Sequence, residues 1–375
     1  MDTLAESVRS AETHPGPATH SGKMSDEAEN TKTQPPFARA DALPTTSTIE
    51  VKDQPLVSII IPTKNRCELL RETLASVQAQ TYQNWECIVV DDGSSDDTGL
   101  ILTSMAAHEP RIKHFRQSKE LAGAPAARNR GLVASKGEYV LFFDDDDLMT
   151  PNLLGGRLAA FERLTSYDAV VTEGFYLSED LNAGPIKRIQ YGDLALFRTA
   201  IPVPWSTPSY LWKRTSLKRI GLWDEALLNL QDFEYYTRGR ILGLRYAFLR
   251  YPDWFYRVGH SSGQLTVKSG ARSDVEVFAR NARMLRSNEN ITKFQRFVWY
   301  VFVLRHAVNA FRSHPESKEH ALWSRNIWLE FCSGMAANAC IMTLGDWVIK
   351  TNRIRLVGGL FRHVLFTISH IPTAV

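Results

Sequence analysis

The stretch that decides the fold reads Tyr139-Val140-Leu141-Phe142-Phe143-Asp144-Asp145-Asp146-Asp147. A run of β-forming residues leads straight into consecutive aspartates. Like charges this close repel and raise one another's pKa, so a strand ending in such a cluster must neutralise it. A divalent cation does so well, because hard cations prefer carboxylate oxygen. The pattern predicts a metal site at the C-terminal edge of a strand, where open α/β sheets hold their ligands. An acidic run alone is usually a solvated face; the strand before it argues otherwise.

Upstream of this strand the chain alternates. Leu56-Val57-Ser58-Ile59-Ile60-Ile61 is a near-continuous apolar run stopped by Pro62, the pattern of a buried parallel strand. Over Cys67–Gln80 the spacing of Leu70, Leu74 and Val77 predicts a helix packed on it. Strands are predicted at Trp85–Val90, Arg111–Phe115 and Glu138–Phe143, with helices from Asp97 to Ala107 and from Ala124 to Ser135. Such alternation predicts an α/β fold, a mostly parallel central sheet with helices on both faces. The loops after the first, second and fourth strands should converge on one crevice. From Pro151 to about Gly259 the pattern is mixed, with strands near Ala169–Tyr176 and Leu244–Phe248 and helices near Thr215–Ile220 and Gln231–Leu242. From about Ser273 the reading is helical to the C-terminus.

Composition bounds the possibilities. The chain has 375 residues, 44% of them hydrophobic and 23% charged, enough apolar content for a sizeable core. A net charge of +3 gives no mandate for nucleic-acid binding. Cys67, Cys87, Cys332 and Cys340 form no CxxC pair, so free thiols in a reducing compartment are expected. Residues 1–52 are rich in Ala, Thr, Ser, Glu and Pro and read as a disordered tail. No secretory leader and no apolar stretch of spanning length is visible, which points to the cytoplasm.

The polar loops carry the chemistry. The first is Pro62-Thr63-Lys64-Asn65-Arg66 and the second Asp91-Asp92-Gly93-Ser94-Ser95-Asp96. The helix after the third strand carries Ala127-Arg128-Asn129-Arg130-Gly131. Farther on lie Gly221-Leu222-Trp223-Asp224-Glu225 and Gln231-Asp232-Phe233-Glu234. Read alone, Asp91, Asp92 and Asp96 make a turn and cap the next helix, and Asp232 is a helix N-cap.

Taken together, "VSIIIPTKNR … TLASVQAQTYQNWECIVVDDGSSDDT … ARNRGLVASKGEYVLFFDDDD" resembles the nucleotide-binding half of family 2 glycosyltransferases with the GT-A fold. "IGLWDEALLNLQDFEYYTRGRILG" resembles the acceptor half. The resemblance covers about residues 55–260. It implies a GT-A domain over 53–270, with a nucleotide-sugar half at 55–150 and an acceptor half at 151–270, followed by a helical C-terminal region at 271–375. It implies a metal-dependent inverting transfer of sugar from a nucleotide-sugar to an acceptor hydroxyl, in polysaccharide, lipopolysaccharide or glycolipid synthesis.

The same resemblance implies roles. Pro62, Thr63, Asn65 and Asp92 would line the nucleotide pocket, Asp92 accepting from a base N–H. Asp144 and Asp146 would form the Asp-x-Asp pair, with Asp145 also on the donor side. Asp146 would ligate Mn²⁺ or Mg²⁺, which withdraws charge from the departing diphosphate; a run of four aspartates leaves that register open by one residue. Arg128 would pair with the diphosphate, since guanidinium and phosphate match geometrically. His260 would approach metal or diphosphate. Trp223, Asp224 and Glu225 would contact the acceptor, with core packing as the other reading for Trp223. Asp232 would be the catalytic base at the start of a helix, whose dipole favours a carboxylate. The usual family pair is Glu-Asp; here Gln231 precedes Asp232.

Residues 281–375 hold twelve Lys and Arg against five Asp and Glu, a net +7. Lys350–His370 mixes basic and apolar residues, as a basic amphipathic helix on anionic lipid does. A helical bundle packed on the catalytic domain is the other reading. Lipid contact would place the chain on the cytoplasmic face of a membrane and suit a lipid-linked glycan acceptor. Two competing functions remain: a sugar nucleotidyltransferase, although the first loop lacks the glycines of a phosphate-binding turn, and a non-catalytic GT-A-like assembly partner, although Asp92, Asp146 and Asp232 are all present.

Overall fold

The structure is a computed structural model that describes residues 54–118, 123–177, 185–189, 206–227, 229–258, 277, 280–281, 283–285 and 287–292. The expected N-terminal tail, His260, Cys332, Cys340 and nearly all of the expected C-terminal helical region lie outside the described residues.

Four parallel strands begin the sheet: β1 (Val57–Thr63), β2 (Trp85–Asp91), β3 (Ile112–Arg116) and β4 (Tyr139–Phe142). Their order is β3-β2-β1-β4, so the chain winds outward from β1 and then returns to its other side. That reversal is a topological switch point, and the crevice above it is where ligands bind in such sheets. Val57 to Thr63 pair one for one with Trp85 to Asp91, and Val57 to Ile60 with Tyr139 to Phe142.

Every residue of β1 and β2 is buried, because both faces are covered. Ile59, Ile61, Cys87 and Val89 pack into the core cluster that takes in Leu70, Leu74 and Val77 of α1 (Cys67–Gln78). Ile88 and Val90 point the other way, onto Ala127 of α3 (Ala124–Ala134). Each buried Ile or Val contributes about 1.5–3 kcal/mol relative to exposure. On that second face α3 lies against β1 so closely that a Cβ at Gly131 would run into Ile60 Cγ2. The helix α2 (Thr98–His108) links β2 to β3.

Pro62 sits in β1, where a missing N–H would ordinarily break a ladder. The β1–β4 register ends at Ile60 and Phe142, with Phe143 N–H donating to Ile60 O at 2.9 Å. The proline therefore comes where β4 has already turned away into the acidic loop.

The remainder is mixed. β4 continues antiparallel into β8 (Tyr210–Lys213), then β6 (Ala169–Leu177), which runs parallel to β9 (Tyr246–Arg257). β5 (Leu148–Met149) pairs antiparallel with β9, and β7 (Pro185–Ile189) with β6. The helices here are α4 (Leu153–Arg163), α5 (Arg214–Ile220) and α6 (Gln231–Ile241).

Two expectations are corrected in extent. The strand expected at Leu244–Phe248 is a twelve-residue strand from Tyr246 to Arg257. Pro252-Asp253 hides its second half in the sequence; the structure places Pro252 opposite Glu173 at a register shift, where proline is tolerated. Asp253 is buried against Arg157 of α4, with Arg157 Nε at 2.9 Å and Nη2 at 2.7 Å, and Thr172 Oγ1 donates to it at 2.7 Å. The last helix, expected at Gln231–Leu242, spans Gln231–Ile241.

Among the described residues, Cys67 and Cys87 are free, and no helix is long and apolar enough to cross a membrane.

Candidate active site

The acidic loop joins β4 to β5, so it spans the crevice from the parallel half of the sheet to the strand beside β9. Its carboxylates alternate in environment. The side chains of Asp145 and Asp147 are 3% exposed and buried, respectively, whereas those of Asp144 and Asp146 retain 31% and 22%. The alternation falls on a tight turn at Asp145-Asp146, closed by Asp147 N–H donating to Asp144 O at 3.4 Å. Asp144 and Asp146 are the pair with surface toward solvent.

The buried carboxylates are held from within. Thr63 Oγ1 donates to Asp145 Oδ2 at 2.7 Å, and Arg66 Nη1 donates to Asp145 Oδ1 and Asp146 Oδ2, each at 2.8 Å. Thr73 Oγ1 ties down the backbone by donating to the carbonyls of Asp145 and Asp147, both at 2.9 Å. Arg257, at the end of β9, donates from Nε to the Asp146 carbonyl at 3.1 Å and pairs through Nη2 with Glu72 at 2.5 Å.

Charge in this loop is unbalanced. Burial raises the Asp145 carboxyl to about 6, against the pull of Arg66. Burial also raises Asp146, with Arg66 opposing and the charge of Asp144 adding to the rise. Asp147 is raised well above the ordinary range by burial and then by its acidic neighbours, and its Oδ2 has no hydrogen-bond partner. Arg66, Arg128 and Arg257 face Asp144, Asp145, Asp146, Asp147 and Glu72, so guanidinium charge falls short of carboxylate charge. Among the described residues, no three His, Cys, Asp or Glu side chains form a group able to hold a metal alone.

On the β2 side of the crevice stands Asp92. Its backbone N–H donates to Thr63 O at 2.8 Å, locking the first two loops together. Lys64 Nζ reaches Asp92 Oδ2 at 3.1 Å, while Gln117 Nε2 and Gly123 N–H reach Oδ1 at 3.0 and 2.9 Å. The loop from Thr63 to Arg66 thus touches Asp92 through Lys64 and the acidic cluster through Arg66. Asn65 between them has φ +53° and is pinned by Ser95 N–H donating to its Oδ1 at 2.7 Å. Asp96 serves both neighbouring helices as expected of a cap, accepting from Cys67 N–H at 3.2 Å and Thr98 N–H at 3.1 Å.

On the other side, Arg128 of α3 connects the acidic loop to α6. Its Nη2 donates to Asp144 Oδ1 at 2.8 Å and its Nη1 to Gln231 Oε1 at 3.1 Å. Asp232 is the next residue, in the first turn of α6. It is half-buried in the chain, and Phe233 N–H donates to its Oδ1 at 2.8 Å. Burial raises its carboxyl to about 7, with that N–H and the Arg128 charge opposing and Asp144 adding. Leu230, just before, has φ +51°, a left-handed conformation that costs a branched residue energy and is concentrated at functional sites. Asn65 and Leu230 are the non-glycine residues of positive φ among those described, and both flank this crevice.

Of the two readings of Trp223, acceptor wall and core packing, the structure shows the core. It is 2% exposed, stacked on Tyr235 with centroids 4.2 Å apart and planes at 3°, and it backs Arg128, whose Cζ lies 4.8 Å from its ring. The run from Trp223 is anchored by Asn129, which accepts from Trp223 N–H at 2.8 Å and donates to Trp223 O at 2.9 Å and Glu225 Oε1 at 2.7 Å. Glu225 is exposed; Asp224 is half-buried and pairs with Arg280. Arg66, Lys64, Gln117, Asn129 and Gln231 were not expected among the site residues. Arg66, Lys64, Asn129 and Gln231 stand in the polar stretches quoted from the sequence but without a role; Gln117 stands in none of them.

Residues 58–220 match the family model described as Glycosyl transferase family 2. The putative colanic acid biosynthesis glycosyl transferase WcaA of Escherichia coli (strain K12) is 35% identical over 135 residues, covering 36% of this chain and 48% of its own. The GalNAc(5)-diNAcBac-PP-undecaprenol beta-1,3-glucosyltransferase of Campylobacter jejuni is 40% identical over 105 residues, or 28% of this chain and 33% of its own. The chain spans less than two thirds of the length of these curated relatives. Among solved structures, S. aureus TarS 1-349 in complex with UDP is similar with a TM-score of 0.60 at 19% identity, over 78% of this chain and 86% of that one. That likeness is one of fold.

Proposed function

We propose that this chain, whose residues 58–220 match the Glycosyl transferase family 2 model and whose fold is similar to that of a GT-A glycosyltransferase, moves a sugar from a nucleotide-sugar to an acceptor hydroxyl with inversion at the anomeric carbon. The observation that carries this reading is the Arg128 bridge. It joins Asp144 of the acidic loop to Gln231, the neighbour of Asp232, so the cation-attracting carboxylates and the candidate base border one crevice.

In this reading Asp232 takes the proton of the acceptor hydroxyl as that oxygen attacks the anomeric carbon. The bond from that carbon to the diphosphate oxygen breaks, and its electron pair leaves with the nucleoside diphosphate. A carboxyl raised to about 7 suits a general base working near neutral pH. Arg128 lies where it would steady the diphosphate charge, and Asp92 and Thr63 would hold the nucleoside end, with Pro62 and Asn65 shaping that loop.

A divalent cation fits the residues present. Mg²⁺ is commonly bound by one or two carboxylates plus substrate phosphates, so a set of three protein ligands is not required. Asp144 and Asp146 supply two half-exposed carboxylates in a loop whose negative charge exceeds its guanidinium charge. Mn²⁺ or Mg²⁺ held there would withdraw electron density from the leaving diphosphate. His260 would be a further ligand and Asp145 a buried support for the pair. Asp224 and Glu225 would meet the acceptor, with Trp223 behind them.

The acceptor in this reading is a growing or lipid-linked glycan; the Escherichia coli relative is named for colanic acid biosynthesis and the Campylobacter jejuni one for a PP-undecaprenol-linked acceptor. The basic region 281–375 would hold the chain at the lipid surface. The test is a screen of nucleotide-sugars with Mn²⁺, Mg²⁺ or chelator, reading release of nucleoside diphosphate. Cation-dependent release from one nucleotide-sugar is expected. Reaction only with a nucleoside triphosphate and a sugar phosphate would instead identify a nucleotidyltransferase.

A further inference from the structure

The two helix layers on the sheet differ in charge. α1, α2 and α4 pack on one face and carry three Arg against three Glu. α3, α5 and α6 pack on the other and carry seven Lys and Arg against two carboxylates. Arg128 belongs to the crevice, and Arg238 pairs with the buried Glu234 at 2.9 Å. The surplus therefore falls on exposed Lys218 and Arg219 and on half-buried Arg130, Arg214 and Arg240. On or just past the same three helices, Val133, Leu222 and Leu242 are 77%, 52% and 39% exposed. One exposed leucine is ordinary. Here three of the five exposed large apolar side chains among the described residues share the basic layer. Each leucine is also fixed beside a cation: Arg238 Nη2 donates to Leu222 O at 2.8 Å, and Arg219 Nη2 to Leu242 O at 3.3 Å.

Resting on the lipid-surface reading above, we infer that the outer face of α3, α5 and α6 is the part of the folded domain that lies on anionic lipid. A lipid surface supplies both partners such a face takes. Anionic headgroups meet the cations, and the apolar layer beneath them takes Val133, Leu222 and Leu242. The stems of Lys218 and Arg219 lie along that layer with their charged ends at the headgroups. A nucleic acid would meet the charge and leave the leucines in water. Leu222 directly precedes Trp223-Asp224-Glu225, so the stretch proposed to meet the acceptor starts at this face. Asn288 Nδ2 donates to Ile241 O at 2.5 Å, so the region 281–375, with its net +7, is tied to the folded domain beside Leu242. That region cannot neutralise a basic face, whereas an anionic surface attracts both. The opposite layer, with its charges balanced, faces water.

The experiment is co-sedimentation of the full chain with vesicles of phosphatidylcholine mixed with phosphatidylglycerol, and with vesicles of phosphatidylcholine alone. It is repeated on Lys218→Gln with Arg219→Gln, on Leu222→Ser with Leu242→Ser and, from the opposite layer, on Arg71→Gln with Arg163→Gln. All six side chains are exposed, so the fold is expected to survive each change. The wild-type chain should bind the mixed vesicles in preference to phosphatidylcholine alone, and less tightly as salt is raised. The basic pair should weaken that binding by about thirtyfold, the leucine pair by about tenfold, and the opposite pair by less than about twofold. Wild-type binding in both the basic and the leucine variants would leave attachment to 281–375 alone and overturn the inference. Equal weakening in the opposite pair, no binding to the mixed vesicles, or retention on heparin without vesicle binding would overturn it too. Release of nucleoside diphosphate without vesicles tests the transfer reading separately and should be the same in all three variants.

Discussion

Arg128 and Asp144 form an ion pair of 2.8 Å, and the arginine's second terminal nitrogen is committed to Gln231. One guanidinium thereby sets the spacing between the acidic loop and the helix that begins with Asp232. Its flat face rests over the buried Trp223 ring, which removes the freedom a long side chain would otherwise have. Lysine can provide the charge but neither the fork nor the stacking face. Arg128→Lys is expected to lower kcat/KM by roughly tenfold and Arg128→Ala by about a hundredfold, with the fold retained. Steady-state kinetics alongside circular dichroism checks this; wild-type turnover in Arg128→Ala would remove the residue from the site.

On the proposed reading, Asp144 and Asp146 meet the cation and Asp145 supports the loop. Asp144→Asn and Asp146→Asn should keep the melting temperature near wild type and abolish the response of activity to added Mn²⁺ or Mg²⁺. Asp145→Ala strips Arg66 and Thr63 of a buried partner, and breaking a buried pair typically costs about 3–5 kcal/mol. Urea denaturation should show that loss in Asp145→Ala alone. A cation response that survives in Asp146→Asn and vanishes in a folded Asp145 variant would reverse the register.

Asp232 predicts a pH profile. Its carboxyl is raised to about 7 by burial, and a general base must be ionised to act. Activity should therefore climb with pH and level off above about 7, being about tenfold below plateau one unit under that value. The stability sign is the opposite. Between the unfolded value of 3.8 and about 7 the folded chain binds the extra proton, so this group's contribution to stability falls as pH rises through that window and is constant above it. Rate and melting profiles of wild type and Asp232→Asn check both; equal slopes in the two proteins would contradict the assignment.

The Arg157–Asp253 pair is structural. Both side chains are almost wholly buried, at 0% and 1% exposure, and they join α4 to β9. Arg157→Ala leaves a carboxylate without its counter-charge and is expected to cost about 3–5 kcal/mol. Chemical denaturation measures the loss, while activity per folded molecule should stay within about twofold.

Much of this was legible in the sequence because it is local. The four parallel strands, their helices and the acidic loop follow from apolar runs, turn residues and a charge cluster within single segments. What was hidden is non-local. Arg66 is quoted with its loop, but nothing in the sequence pairs it with Asp145, 79 residues away. Trp223 reads equally well as a sugar platform or a core residue, and only the Tyr235 stack decides. The second half of β9 is masked by Pro252, which a register shift against Glu173 accommodates. Gln117 carries no motif; it reaches the site through its bond to Asp92.

The most direct test of the central claim is turnover by Asp232→Asn, measured with a nucleotide-sugar and cation that support wild-type activity. Asparagine preserves size and the contact with Phe233 N–H but cannot take a proton. The predicted result is donor affinity within about twofold of wild type and turnover reduced by about 10²–10⁴-fold. Turnover within threefold of wild type, roughly, would show that the acceptor's proton goes elsewhere and would contradict the shared-crevice mechanism.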